Sequence, residues 1–423
     1  MKIAIAGAGI GGLVAALSLK QAGFDDIQVY ERVAELRPLG VGINLLPHAM
    51  RELTELGLAD AVSAIGTAPA ELSYHNRFGQ RIWSEPRGVA AGYSWPQLSV
   101  HRGRLQMLLV DAVRERLGAD AIRLGHSVRS VTTAGGTAHA VFHHDGSPVE
   151  VDADVFVAAD GINSAVRRRR HPEEGEPVWN GLILWRGTAR VPAFLDGRTM
   201  IMAGDDEQKF VAYPLSAPGA DGLITVNFIA EIRTDGTRPA GADWNRPVAA
   251  APIVELFRDW LFDWLDVPGV IASADEILEY PMVDRNPLDR WTEGRSTLLG
   301  DAAHAMYPNG SNGASQAIID ARTLAYELAT AGDVDAALTA YDERRRPATA
   351  ALLELTRQQG PERVMVLARE RAPQGFERIE DVLSPAELTE IATGYKRAAG
   401  FDPATLNTRP SLSPAVARTD ARL

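Results

Sequence analysis

Apolar residues near the start of the chain follow the two spacings that distinguish strands from helices. Residues 2–6 (KIAIA) form a short, continuous apolar run typical of a buried strand. Small and apolar residues at helical spacing follow over residues 12–22, and residues 27–31 (IQVYE) predict a second strand. A strand, a glycine-rich turn, a helix and a strand in this order predict the first unit of a doubly wound sheet.

Along the rest of the chain, the predicted secondary structure changes from mixed helix and strand to strands, and then to helices. Helical spacing returns at residues 48–56 and 102–117, and residues 151–160 (VDADVFVAAD) predict one buried strand. Between residues 179 and 230, short alternating runs separated by Gly, Pro and Asp predict antiparallel strands. A strand follows at residues 296–301 (STLLGD), and helices are predicted from there to about residue 400.

These patterns predict an α/β fold in which a Rossmann-like nucleotide-binding domain is interrupted by a β-rich domain and followed by C-terminal helices. We expect residues 401–423, with several prolines and no periodicity, to be loosely ordered or to wrap the surface. The predicted division assigns 1–75, 98–172 and 280–345 to the nucleotide-binding domain, 76–97 and 173–279 to a substrate-binding sheet domain, and 346–400 to the helices.

Composition narrows the classes of function. A net charge of −12 argues against nucleic acid or an anionic membrane as the main partner. The chain has no cysteine, which excludes a disulfide scaffold, a thiolate zinc site and a cysteine nucleophile. No apolar run approaches the ~18 residues of a membrane span. The first residues carry a single lysine and lead into a strand, so we expect a cytoplasmic protein and not a signal peptide.

Two basic clusters stand apart from the acidic background, Arg167–Arg170 and Arg344–Arg346. Each predicts either a solvated helix surface or a docking patch for a phosphate-bearing cosubstrate. The sequence leaves both interpretations open.

The first turn contains the pattern Gly7-x-Gly9-x-x-Gly12. Glycines at these positions allow a tight turn, close approach of a diphosphate and close packing of helix on strand. Glu31 follows 19 residues after Gly12, at the end of the second predicted strand. A carboxylate there accepts hydrogen bonds from ribose hydroxyls and repels a ribose phosphate. The pattern therefore predicts an FAD or NAD site, not an NADP site, and leaves FAD and NAD both open.

Two later motifs also lie at predicted strand ends. Asp160-Gly161 is followed by Arg167, and Gly300-Asp301 opens the stretch GDAAHAMYP. Either motif alone is typical of a strand-to-helix turn. His304 has no second ligand at helical or hairpin spacing, which favours packing and hydrogen bonding over metal binding.

The three motifs, in this order around a β-rich insert, resemble those of the flavoprotein aromatic hydroxylases of the para-hydroxybenzoate hydroxylase type. The segments ELRPLGVGINLLPHAM, QLSVHRGRLQ, EYPMVDRNPL and MYPNGSNGASQAI are similar to the phenazine-modifying branch, such as 5-methylphenazine-1-carboxylate 1-monooxygenase. The resemblance implies non-covalent FAD, transiently bound NADH or NADPH, and molecular oxygen. Oxygen would pass through a flavin hydroperoxide to an electron-rich aromatic or fused heteroaromatic substrate, with or without decarboxylation.

The resemblance also implies a set of site residues. Asp301 would bind the ribityl chain, Pro308 would lie over the reactive face of the flavin, and the amides of residues 313–315 would face its pyrimidine edge. Pro308 is the implied catalytic residue. The implied cofactor-binding residues are Gly7, Gly9, Gly11, Gly12, Glu31, Arg32, Arg102, Asp160, Arg167, Asp301, Gly313, Ala314 and Ser315.

Substrate contacts are expected from the inserted sheet, at Trp185, Met202 and Phe210. Phe210 and Met202 fall where relatives of the para-hydroxybenzoate type hold a carboxylate with tyrosine and arginine. Apolar residues at both positions predict a large, flat substrate, and core packing is the alternative for all three.

Three other functions remain open on the sequence. Flavin-dependent halogenases share the first motif, and WLFDWLDVP at residues 260–268 superficially resembles their Trp-x-Trp-x-Ile-Pro sequence. Another FAD oxidoreductase, or an NAD-binding dehydrogenase, would also use the glycine motif. For partners we expect a small aromatic substrate, no nucleic acid, no membrane span and a homodimer.

Overall fold

The computed structural model describes residues 1–236 and 246–414. Its strands are β1 Lys2–Ala6, β2 Asp26–Tyr30, β3 Gly42–Leu45, β4 Gly66–Thr67, β5 Glu71–His75, β6 Arg81–Pro86, β7 Leu98–His101, β8 Ile122–Arg123, β9 Ser127–Ala134, β10 Thr137–His144, β11 Ser147–Ala153, β12 Val155–Ala158, β13 Val178–Pro192, β14 Thr199–Gly204, β15 Gln208–Pro214, β16 Leu223–Arg233, β17 Arg246–Val248, β18 Leu261–Phe262, β19 Leu265–Asp266, β20 Ala274–Asp284, β21 Thr292–Glu293 and β22 Ser296–Leu298. Its helices are α1 Ile10–Gln21, α2 Pro47–Glu55, α3 Ala59–Ala64, α4 Arg102–Leu117, α5 Ala165–Arg170, α6 Ala250–Leu256, α7 Val267–Ala272, α8 Asp301–His304, α9 Gly313–Thr330, α10 Val334–Arg357, α11 Arg363–Arg371, α12 Pro385–Ala398 and α13 Pro403–Thr408. The predicted α/β fold is confirmed.

A six-stranded sheet in the order β21-β22-β12-β1-β2-β8 forms the centre of the nucleotide-binding domain. All its pairings are parallel except that of the edge strand β21. Ile5 of β1 lies between Val29 of β2 and Val157 of β12, and all three side chains are buried. Continuous apolar strands suit a parallel sheet because helices cover both of its faces. The predicted strand–turn–helix–strand unit is β1, α1 and β2.

The segment 151–160, predicted as one strand, is two strands in two different sheets. β11 ends an antiparallel meander with β9 and β10, whereas β12 enters the parallel sheet beside β1. Asp154 separates them: its amide donates to the Lys2 carbonyl at 2.9 Å, and its carboxylate accepts from the Lys2 amide at 2.7 Å. β11 alternates polar and apolar residues whereas β12 is continuously apolar, and this change of pattern at Asp154 was the sign of the break.

The β-rich domain is an eight-stranded sheet in the order β17-β20-β13-β16-β15-β14-β5-β6, antiparallel except where β14 pairs with β5. Its side chains alternate between two faces. The outer face packs Phe210 and Phe228 against Trp260 and the short helices α6 and α7. The inner face carries Met202 and Tyr213 toward the nucleotide-binding domain and the C-terminal helices.

The sheet extends beyond the predicted division of the chain at both ends. β5 lies in it although it precedes residue 76, and β20 continues in it to Asp284. We therefore propose that the sheet domain comprises residues 71–97 and 173–284.

The C-terminal segment is ordered as far as residue 414. Phe401 stacks on His48 with ring centroids 4.8 Å apart, and Leu406 is fully buried. Arg51 donates from Nη1 to the Leu406 carbonyl at 3.0 Å and from Nη2 to the Arg409 carbonyl at 2.5 Å. Residues 401–414 thus form a strap over α2, which agrees with the second of the two expected arrangements, a segment that wraps the surface. Residues 415–423 of that prediction lie outside the described residues.

Within the described part of the chain, no helix has the length and apolar character needed to cross a bilayer.

Candidate active site

The three glycines of the first motif have three different surroundings. Gly7 has φ +109°, and a Cβ there would lie 2.2 Å from the Ala159 carbonyl oxygen. A Cβ at Gly12 would lie 2.0 Å from the Gly7 carbonyl oxygen. A Cβ at Gly9 would meet no heavy atom within 4 Å, so the backbone there borders open space at the start of α1. This open space fits the diphosphate of a dinucleotide, which the positive end of α1 would attract.

Gly11 faces the protein and not the open space. A Cβ there would lie 2.7 Å from Leu299 Cδ2 and 3.3 Å from Ala317 Cβ. Its contribution is therefore close packing of α1 against the end of β22 and α9. A contact between the Gly11 backbone and the cofactor stays a prediction.

Glu31 closes the glycine turn at the end of β2. Its Oε2 accepts from the Ala8 amide at 2.8 Å, and its Oε1 accepts from the Val33 amide at 3.1 Å. Each carboxylate oxygen has a second lone pair, so both can still accept from ribose hydroxyls. Arg32 is exposed, as is Arg102 at the first position of α4. Both guanidinium groups are accessible to a ligand.

Asp160 lies at the carboxyl end of β12, where the sheet meets α5. Its Oδ2 accepts from the Ala165 amide at 2.8 Å and so holds the start of α5. Its Oδ1 is buried and has no hydrogen-bond partner among the described residues. Burial raises the pKa of Asp160 above its ordinary value. A buried oxygen without a partner at this edge fits a donor supplied by a bound cofactor or cosubstrate.

Arg167 is buried, and each of its five N–H groups has a protein acceptor. Nε and Nη2 contact the Glu174 carboxylate at 2.8 and 2.5 Å. Nη1 donates to the Ala302 and Ala303 carbonyls at 3.2 and 2.7 Å, and Nη2 also donates to the Asn286 carbonyl at 2.6 Å. Arg167 therefore has no donor left for a cofactor. Its predicted cofactor contact is corrected to a positioning role for the residues after Asp301.

Asp301 and Pro308 are both exposed at the carboxyl end of β22. Asp301 begins α8 after Gly300, whose φ is +62°. The Pro308 carbonyl accepts from the Ser311 amide at 2.8 Å, and Ser311 itself has φ +58°. Asp301 lies at the same edge of the sheet as Asp160, because β12 and β22 are parallel neighbours, and the tight turn that begins at Pro308 follows α8 in the chain.

The N-terminus of α9 supplies the predicted nest of amides. The first amides of a helix have no intrahelical partner, and a Cβ at Gly313 would meet nothing within 4 Å. Ala314 is half-buried, whereas Ser315 is fully buried and its Oγ accepts from the Leu46 amide at 3.3 Å. The backbone of residues 313–315 is thus available to an anionic ring edge, while the Ser315 side chain fixes the turn before α2.

A buried network that the sequence interpretation missed supports this loop. Asp320 Oδ2 contacts His304 Nε2 at 2.5 Å and accepts from the Gly300 amide at 3.0 Å, while its Oδ1 accepts from Arg345 Nε at 2.6 Å. Burial alone would raise the pKa of Asp320, but His304 and Arg345 lower it to about 2. The ionised carboxylate therefore joins α8, α9 and α10 beneath the site.

The hydrogen bonds of Arg167 and Arg345 also show how the two basic clusters are arranged. Arg345 is buried on Asp320, and Arg167 is buried on Glu174. Arg168, Arg169 and Arg344 are exposed, so each cluster has a solvated part beside its buried arginine. Among residues 1–236 and 246–414, no three His, Cys, Asp or Glu side chains come together as metal ligands.

The three residues predicted to face the substrate do not share a surface. Trp185 and Phe210 lie on the outer face of the sheet, where Trp185 Nε1 donates to Glu279 at 2.9 Å and Phe210 stacks on Phe228 at 5.9 Å. Met202 lies on the inner face. Trp185 and Phe210 thus pack in the outer core, which favours the core-packing alternative for these two residues.

Met202 borders a narrow cleft between the inner face, the turn after Pro308 and α12. The central cavity measures about 20 Å³, room for about one water molecule. One end of this cleft is polar, with Tyr74, Glu85, Arg87 and Lys396. Its apolar walls are formed by Leu46, Leu72, Met200 and Met202.

Comparison with known proteins agrees with this geometry. The family described as FAD binding domain matches residues 1–356. The chain belongs to this family. A phenazine 1,6-dicarboxylic acid hydroxylase of Lysobacter antibioticus is 45% identical over 402 residues, covering 93% of this chain and 96% of the relative. A 6-hydroxynicotinate 3-monooxygenase of Pseudomonas fluorescens is 30% identical and covers 78% and 83%.

Solved structures give the same result for the fold. A variant of Klebsiella pneumoniae HpxO complexed with FAD matches with a TM-score of 0.71 and 25% identity, covering 94% of both chains. A salicylate hydroxylase substrate complex matches with a TM-score of 0.73 at 21% identity, covering 97% and 99%, which bears on the fold alone. The predicted FAD-dependent aromatic monooxygenase is confirmed, and the halogenase alternative finds no support in these relatives.

The surroundings of FAD follow from the residues of this chain. When bound, FAD accepts a hydride from NADH or NADPH and activates molecular oxygen. Gly9 would leave room for the diphosphate, Glu31 would accept from the ribose, and the amides of residues 313–315 would offer donors to an anionic ring edge.

Proposed function

We propose that this chain hydroxylates a phenazine carboxylate or a similar fused heteroaromatic acid. NADH or NADPH supplies two electrons; one oxygen atom of O₂ enters the ring and the other leaves as water. The observation that carries the proposal is the apolar cleft with a cationic end, beside the turn that holds Pro308. The 45% identical hydroxylase supports it, because that relative is named for a phenazine dicarboxylic acid.

The proposed contacts follow the edge of the parallel sheet. Gly9 and Glu31 bind the ADP half of FAD, with Arg32 and Arg102 as cationic neighbours. Asp160 faces both FAD and the nicotinamide, Asp301 binds the ribityl chain and Pro308 lies over the reactive face. The support is that Asp160 and Asp301 are together at the carboxyl ends of β12 and β22, where ligands of such sheets bind.

The cleft favours a flat apolar ring over a small hydroxybenzoate. Met200 and Met202 are flexible and polarisable, so they adapt to an aromatic surface. A cavity of about 20 Å³ must widen to receive a tricyclic ring. Methionine walls and the turn with Ser311 at φ +58° are the elements able to adjust.

Two further features remain proposals. A cytoplasmic location would give access to NADH and NADPH. A homodimer is the assembly that we propose; a relative of similar fold, 2-methyl-3-hydroxypyridine-5-carboxylic acid oxygenase, is described in a tetrameric form.

Stopped-flow reduction of the purified FAD enzyme tests the proposal. NADH and NADPH are mixed separately with the enzyme, alone and with phenazine-1-carboxylate, phenazine-1,6-dicarboxylate or 4-hydroxybenzoate. We expect a phenazine carboxylate to accelerate flavin reduction by about tenfold or more and to yield a hydroxylated product. Acceleration by 4-hydroxybenzoate alone would contradict the proposed substrate class.

A further inference from the structure

The polar end of the cleft contains buried side-chain atoms that the fold leaves without partners. Tyr74 is 1% exposed, and its hydroxyl lies beside the Arg87 guanidinium without a well-oriented hydrogen bond among the described residues. Arg87 Nε is also buried and has no acceptor there. Tyr74 and Arg87 both border the cavity. Buried polar atoms of this kind are rare in folded proteins, so two of them at one cavity point to a missing ligand.

The charged side chains at this end of the cleft carry a net positive charge. Glu85 contacts Arg87 at 3.1 Å and Lys396 at 2.6 Å, so two cations share one carboxylate. Burial would raise the pKa of Glu85, but Arg87 and Lys396 lower it, which keeps the carboxylate ionised. One positive charge therefore remains uncompensated within this cluster, and a buried guanidinium needs an anion or acceptor.

A second buried cluster lies on the same inner face and has the opposite imbalance. Lys209 contacts Glu231 at 2.9 Å and also Glu362. None of these three side chains borders the described cavity. Both carboxylates contact Lys209, and the charge of Glu362 also reaches Tyr74, where it helps to raise the pKa of the hydroxyl.

We propose that Arg87 and Tyr74 bind a carboxylate group of the aromatic substrate at the polar end of the cleft. The guanidinium offers parallel N–H donors that match a carboxylate, and the Tyr74 hydroxyl adds a third donor. Burial raises the pKa of Tyr74 well above its ordinary value despite the nearby charge of Arg87, so this hydroxyl keeps its proton. Met200 and Met202, which lie beside Leu72 and Tyr74 in the parallel pair of β14 and β5, contact the ring.

The inference rests on the proposed function. It places the carboxylate contact at Arg87 and Tyr74, and not at positions 202 and 210, where relatives of the para-hydroxybenzoate type hold a carboxylate. It also explains why those positions are apolar in this chain. The carboxylate is recognised from β5 and the residue after β6, at the far edge of the sheet.

The test compares two variants in the FAD enzyme, with phenazine-1-carboxylate and unsubstituted phenazine as probes. Binding is followed by the change in flavin absorbance, and folding by thermal unfolding. Arg87→Met removes the cation, while Lys396 remains with Glu85. Tyr74→Phe removes only a hydroxyl without a well-oriented hydrogen bond, so its melting temperature should be equal or higher. Arg81→Met, at the exposed start of β6, is the matched control.

Arg87→Met should weaken phenazine-1-carboxylate binding by about tenfold or more, and Tyr74→Phe by about threefold to tenfold. Both should bind unsubstituted phenazine within about twofold of the wild type, and Arg81→Met should change neither affinity. Unchanged carboxylate binding in both variants would overturn the inference, as would an equal loss for both probes. Wild-type binding of phenazine but not of its carboxylate would also overturn it. Tight carboxylate binding without hydroxylation would instead contradict the proposed function.

Discussion

At the scale of single residues, the glycines of the first motif differ in what an added side chain would contact. At Gly7 and Gly12 a side chain would strike backbone atoms, whereas at Gly9 it would enter open space. The motif predicted the tight turn and the close helix packing because it reflects backbone geometry, and the diphosphate contact at Gly9 stays a prediction. Gly11 was grouped with them by position alone, and only the packing of Leu299 distinguishes it.

Gly9→Ala should separate cofactor binding from folding. Gly9 has φ −75° and ψ 178°, which alanine adopts without strain, so the apoprotein should keep its free energy of unfolding within about 0.5 kcal/mol. A methyl group in the path of the diphosphate should weaken FAD binding by about tenfold or more. Fluorescence titration with FAD and urea unfolding of the apoprotein measure the two quantities.

Gly332→Ala is the control, since a Cβ there also meets no atom within 4 Å. It should leave both FAD affinity and stability unchanged. Unaltered FAD affinity in Gly9→Ala would place the diphosphate elsewhere.

At the scale of elements, sequence periodicity predicted where helices and strands begin and end better than it predicted which face of a strand each side chain occupies. α4 was predicted over the residues that form it, yet Phe210 and Met202 were assigned to one surface although they lie on opposite faces. Family positions, used without the register between β14 and β15, cannot distinguish the two faces. Gln316 and Asp320, four residues apart in an otherwise apolar part of α9, were a usable sign of a buried polar network.

Asp320→Asn tests the network that joins α8, α9 and α10. The change leaves Arg345 buried without its anion, so we expect a loss of about 3–5 kcal/mol in the free energy of unfolding at pH 7. Asp335→Asn, which breaks an exposed pair with Arg295, should cost less than about 1 kcal/mol. Urea unfolding of all three proteins gives the comparison; a loss below about 1 kcal/mol in Asp320→Asn would refute the structural role.

The same variant carries a pH dependence. The folded pKa of Asp320, about 2, lies below the ordinary value of 3.8, so its ionised form stabilises the fold above about pH 4. This contribution is lost as pH falls from about 4 toward 2. The stability difference between wild type and Asp320→Asn should be constant from pH 7 to 5 and narrow below pH 4. A difference that widens with acidification would have the wrong sign.

At the scale of the whole molecule, composition and motif order were sufficient for the fold and the cofactor, but contacts between distant segments were not predictable. The strap of residues 401–414 has no periodicity, and its order comes from burial of Phe401 and Leu406 against residues about 350 positions earlier, around Arg51. The cleft likewise joins β5, the turn after Pro308 and α12. Such tertiary contacts leave little trace in a single sequence.

Leu406→Ala tests the strap as part of the folded unit. Leu406 is fully buried, so its truncation should cost about 2–5 kcal/mol in the free energy of unfolding. Leu261→Ala, at a side chain that is 65% exposed, should change stability by less than about 0.5 kcal/mol. Equal stability of the two variants would show that the strap does not belong to the cooperative fold.

Isotope labelling tests the central claim most directly. The FAD enzyme is incubated with NADH or NADPH, phenazine-1-carboxylate and ¹⁸O₂ in ordinary water, and the product is measured by mass spectrometry. An aromatic monooxygenase with this substrate class yields a phenol that carries one ¹⁸O atom. A product oxygen derived from water, or NAD(P)H oxidation that forms only hydrogen peroxide with every phenazine carboxylate tested, would contradict the account.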